Sequence, residues 1–145
     1  MLPRMTLCLV AALLSFGPAR AADPQASEPS AVIARGFDAL KAGGADKAIE
    51  AWLKGSPIEG DPNAKSQSAL IGQIATIYGP YDSFEIVRTD ALGSRSKVLY
   101  AAAHFAKGDA FCKFLLFKTQ AGHWVLTMFF FHTNPDVVWP SSIAQ

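Results

Sequence analysis

The chain has 145 residues, with thirteen Lys and Arg against twelve Asp and Glu and half of its side chains apolar. That length allows one domain with one core. A nearly neutral chain with no basic cluster has no electrostatic means of holding a phosphate backbone or an anionic membrane surface, so nucleic acid and a polybasic membrane anchor are excluded as partners.

The elements begin with an address. Arg4 is followed by an uncharged apolar stretch over residues 5–16, then by Ala19-Arg20-Ala21. A positive start, a short apolar segment and a small-x-small site are the order of a secretory signal peptide. The stretch is shorter than the about 20 residues that cross a bilayer. Cleavage is expected after Ala21, giving a periplasmic or secreted protein with no membrane anchor. Removing Arg4 and Arg20 leaves eleven basic against twelve acidic side chains, a formal charge of −1. Cys8 departs too, so Cys112 has no partner for an intramolecular disulfide and reads as a small buried hydrophobe.

Residues 22–29 are rich in Ala, Pro and Ser and read as a flexible leader. Ser30 is expected to cap a helix over 30–42, with Val32, Ile33, Phe37 and Leu40 at helical spacing. Gly43-Gly44 ends it. Asp46 opens a second helix carrying Ile49, Trp52 and Leu53, stopped by Gly55-Ser56-Pro57. A third helix is expected over 64–78 and is terminated by Gly79-Pro80. From there the chain reads as four β-type runs over 83–92, 97–107, 110–120 and 123–133. Gly93-Ser94, Gly108-Asp109 and Ala121-Gly122 link them as expected hairpin turns. Asn134 onward is expected to be coil, docked through Val137, Val138 and Trp139.

Helices followed by a meander give an α+β class, with N-terminal helices packed on a bent four-stranded antiparallel sheet. The expected organisation is a signal peptide over 1–21, a leader over 22–29, one domain over 30–140 and a tail over 141–145. With two-residue turns, Tyr100 pairs with Phe117, Phe117 with Leu126, and Asp90 faces Lys97. One sheet face then collects Glu85, Tyr100, His104, Lys113, Trp124, Met128 and His132. These are the candidate binding residues. Tyr100, His104 and His132 are the candidates for acid–base or oxyanion chemistry, if that face lines a cleft under the helices. His104, Cys112, His123 and His132 lack zinc-type spacing, so no metal is expected. There is no phosphate loop or nucleophile elbow, and no cofactor is expected.

The runs Phe114-Leu115-Leu116-Phe117 and Met128-Phe129-Phe130-Phe131 place large apolar groups on both faces of the sheet. A sheet with one wet face would alternate. Three helices can cover one face; the other needs a second subunit, a ligand or the C-terminal tail, and a homodimer packed through the sheet is expected.

Three phrases carry a resemblance: Trp52-Leu53-Lys54-Gly55-Ser56-Pro57-Ile58-Glu59-Gly60, Tyr78-Gly79-Pro80-Tyr81, and Gly122-His123-Trp124-Val125-Leu126 ahead of Phe129-Phe130-Phe131. Over about residues 30–140 the chain resembles small exported bacterial proteins without assigned activity. Its layout is similar to the nuclear transport factor 2-like (cystatin-like α+β) superfamily. The resemblance implies a cone-like bent sheet, and either a non-catalytic binding or dimerising module or a small isomerase or dehydratase. In the ketosteroid-isomerase-like branch an Asp base and an acid pair sit deep in the cone. Tyr100 could stand for the tyrosine, but no Asp falls at an inward strand position, since Asp90 and Asp109 lie near turns. The expected function is therefore an exported non-enzymatic module that binds a small apolar ligand or a protein partner as a homodimer. The alternative is a cone-pocket isomerase or hydratase using His104 or His132 with Tyr100. An adaptor role for the αα hairpin around Phe37 and Trp52 is the third reading.

Overall fold

A computed structural model describes residues 28–143. The expected signal peptide, nearly all of the leader and the last two residues lie outside the described residues. The chain forms α1 (Pro29–Gly43), α2 (Ala45–Leu53), α3 (Pro62–Tyr78), β1 (Tyr81–Ala91), β2 (Ser96–Phe105), β3 (Gly108–Lys118), β4 (Trp124–His132) and a single turn, α4 (Pro135–Val138). The α+β class and the order of helices before sheet are those expected. The sheet is antiparallel in the order β1-β2-β3-β4, curved and not closed.

The helices start where backbone chemistry favours it. Pro29 occupies the first turn of α1, where its missing N–H costs nothing, so Ser30 lies inside the helix and is not its cap. Asp61 caps α3, its Oδ1 accepting from the Asn63 N–H at 2.8 Å, and this starts the helix two residues before the expected Ala64. Between α1 and α2 the chain reverses at Gly44, with φ of 82°, a conformation that only glycine adopts without strain.

The core lies between these helices and one face of the sheet. Phe37 and Trp52 meet edge to face with ring centres 5.1 Å apart. Phe84 stacks on Phe37 at 4.4 Å, while Phe131 approaches Trp52 at 5.4 Å and Phe114 at 5.6 Å. The Trp52 indole N–H donates to the Ile33 carbonyl at 3.0 Å, so its burial strands no donor. Leu99, Ala101, Ala103, Cys112, Phe114 and Leu116 floor this layer, all essentially inaccessible to water. Small residues at the centre of β2 are what allow large rings to sit above them.

The register departs from expectation at all three turns. β2 and β3 pair Phe105 with Gly108 and Tyr100 with Lys113, so the turn is Ala106-Lys107 rather than Gly108-Asp109. The reason lies outside the hairpin. The Ala106 and Lys107 amides donate to the Pro80 and Tyr78 carbonyls at 3.0 and 2.8 Å, tying the turn to the end of α3. A Cβ on Gly108 would lie 3.0 Å from the Tyr78 ring, so glycine is there for close approach. The four-residue shift is even and leaves the faces unchanged.

The other two turns shift by one. Gly93 and Gly122 take φ of 80° and 89° inside three-residue loops, closed by Leu92 N–H to Ser96 O and Thr119 N–H to His123 O, both 2.8 Å. Asp90 therefore pairs with Val98 and not, as expected, with Lys97. Lys97 instead lies over the Trp124 ring at 5.3 Å. On β4 a bulge at Thr127, opposite Leu115 and Leu116 of β3, restores the expected pairing of Met128 with Leu115 and His132 with Phe111. Before that bulge, Trp124 and Leu126 turn to the helix side and join the core.

Candidate functional site: the outer face of the sheet

Alternation along β2 places Tyr100, Ala102 and His104 on the face turned away from the helices, opposite Leu99, Ala101 and Ala103. Cross-strand pairing brings Glu85, Arg88 and Asp90 of β1, Phe111, Lys113 and Leu115 of β3, and Met128, Phe130 and His132 of β4 to the same face. Six of the seven candidate binding residues thus share one surface. Trp124 is the exception, since the bulge puts it in the core. The surface faces away from the helices, so it is not the inside of a cone. The space under the helices is filled by Phe37, Trp52, Phe114 and Phe131.

Three zones follow along this face. At one end His104 is held between two carboxylates. Its Nδ1 lies 2.8 Å from Asp109 Oδ1, and its Nε2 lies 3.7 Å from Glu85 Oε1. All three side chains are substantially open to water. No group of three or more His, Cys, Asp or Glu among the described residues is arranged to hold a metal ion.

Tyr100 occupies the middle, buried between Arg88 on β1 and Lys113 on β3. Burial, and then the nearby Asp90 carboxylate, push its phenol above the usual range, with Arg88 acting the other way. Arg88 Nε donates to Asp90 at 2.7 Å, and its Nη1 donates to the Ser142 hydroxyl at 2.8 Å. Tyr100 and His104 are four residues apart on one strand, about 13 Å at the usual rise. One small substrate atom cannot touch both. His132 is engaged locally, its Nδ1 accepting from the Asn134 N–H at 2.9 Å.

The C-terminal segment crosses part of this face, one of the three covers the sequence allowed for it. Val138 is buried, and the Trp139 ring meets Phe111 edge to face at 4.8 Å while its N–H donates to the Cys112 carbonyl at 3.2 Å. Val137 points outward instead. The last zone stays open. Met128 and Phe130 are 42% and 39% exposed, beside the half-buried Leu115 and Phe117. Arg88, Ser142 and Phe130 were not among the expected site residues. Phe130 was readable from the unbroken run 128–131, whereas Arg88 reaches this face only because β1 is irregular between Ile86 and Arg88.

No helix among the described residues is long and apolar enough to cross a membrane. No family model, curated protein or solved structure matches the chain.

Proposed function

We propose that this is an exported, non-catalytic interaction module that pairs with a second copy of itself through the outer face of its sheet. The single observation that carries the reading is the apolar strip of Met128 and Phe130, open to water beside Leu115 and Phe117, on a sheet whose opposite face carries the core. Contiguous apolar surface of this kind marks association sites more often than idle surface. A stable interface removes about 800 Å² from each partner. The strip alone falls short of that, so the contact extends onto Val137 of α4, which is 53% exposed on the same side. A two-fold arrangement would set the same strip against itself.

The nuclear transport factor 2-like layout remains the frame for this reading, as helices on one face of a bent sheet with the other face free for association. An isomerase or hydratase reading has less support, because Tyr100 and His104 are too far apart to act on one atom and their surface is open. The test is native mass spectrometry with light scattering on the mature chain. The wild type should be dimeric at tens of micromolar. Phe130→Glu should be monomeric with an unchanged circular dichroism spectrum. A monomeric wild type would refute the pairing.

A further inference from the structure

We propose that a second site, on the helix side of the molecule, binds a small amphiphile with an anionic head, of the medium-chain carboxylate class. The site is a groove of about 310 Å³ at the corner where α1 ends, α3 passes and β1 begins. That volume lies at the lower end of the range of small-molecule sites. Leu40, Ile71, Tyr81 and Phe105 line it, a largely apolar wall in which the Tyr81 phenol is the one side-chain hydrogen-bonding group. Burial raises the Tyr81 phenol well above its ordinary range, with Asp38 contributing from outside the groove, so this wall stays uncharged.

The one cation at the groove is Lys41, in the last turn of α1. Its Nζ donates to the Asp82 carbonyl at 2.8 Å, which fixes the ammonium at the rim and leaves two of its three donors for a ligand. The Asp82 carboxylate accepts from the Ser83 hydroxyl at 3.1 Å, and neither it nor Asp38 lines the groove. An apolar trough with one positive group at its mouth complements an apolar tail with a negative head.

Gly72 supplies an independent observation. It lies within α3, where glycine is the least favourable residue after proline. A Cβ there would meet nothing within 4 Å, and its backbone is ordinary helix. Nothing in the packing of the chain itself calls for a glycine. Gly72 lines the groove, and any side chain at that position would project into solvent space that a ligand could use.

The site does not depend on pairing through the outer face. Isothermal titration of the full mature chain with octanoate, and with octyltrimethylammonium as the cationic control, tests it. Octanoate should bind saturably, one per chain, at least tenfold tighter than the cation. Gly72→Leu should keep the wild-type melting temperature or exceed it, and should lose octanoate binding. Lys41→Glu, on an exposed side chain, should weaken octanoate at least tenfold whether or not the leucine variant folds. Absence of saturable binding, equal binding of the cation, or wild-type affinity in Lys41→Glu would overturn the proposal.

Discussion

Gly36 and Cys112 show how much single positions are asked to do. A Cβ on Gly36 would lie 1.9 Å from the Trp52 indole nitrogen, so α1 can cross Trp52 only where it has no side chain. Both Gly36 and Trp52 are enclosed, and the ring has no room to retreat among Phe37, Phe114 and Phe131. Gly36→Ala should cost about 3 kcal/mol by overpacking, despite alanine's better helix propensity, as read from urea midpoints. Cys112 is wholly buried, and burial pushes its thiol well above the ordinary value. Below about pH 8.5 both folded and unfolded chains keep that proton and stability does not respond. Above it the unfolded chain ionises first, so stability should fall by about 1.4 kcal/mol per pH unit until the folded thiol itself titrates. Denaturation at pH 8 and at pH 9.5, below the tyrosine range, should show a loss of about 1 kcal/mol in the wild type that is absent from Cys112→Ala.

At the level of elements, the C-terminal turn does more than its length suggests. A four-residue helix has no stability of its own. It persists because Asn134 Oδ1 accepts from the Asp136 N–H at 3.0 Å, Val138 is buried, and Trp139 closes over Phe111. Trp139→Ala should cost about 2 kcal/mol, from lost ring contact with Phe111 and the lost indole hydrogen bond to the Cys112 carbonyl. It should also expose Phe111 and increase binding of a hydrophobic dye to the folded protein. The strands were legible as runs, but their registers were not. A two-residue and a three-residue loop read alike around Gly93 and Gly122, yet they differ by one residue in pairing. That difference moved Trp124 from the expected binding face into the core and separated Asp90 from Lys97.

For the whole molecule, the question is what an open sheet does with its second face. The segment after β4 covers part of it, fastened by Arg88 to Ser142. The remainder, around Met128 and Phe130, is where the proposed pairing acts. Pairing of folded chains stabilises them by mass action, so the melting temperature of the wild type should rise with protein concentration. The Phe130→Glu variant should melt at one temperature at all concentrations. This behaviour concerns the outer face alone and should be the same with or without octanoate in the helix-side groove.

The helices and the class of fold were readable in the chain itself, because Val32, Ile33, Phe37 and Leu40 repeat at the helical period and Gly79-Pro80 forbids α3 to continue. So was the greasiness of both sheet faces, since runs such as 114–117 cannot hide on one side of a strand. Which face met the helices depended on packing. Ala101 and Ala103 leave space for Phe37 and Trp52 above them, and that preference exists only once helix and sheet are brought together. The site residues were found as a set because strand alternation is local. Their position away from the helices, and the loss of Trp124 from among them, were settled by a bulge and by glycine loops whose geometry depends on contacts distant in sequence.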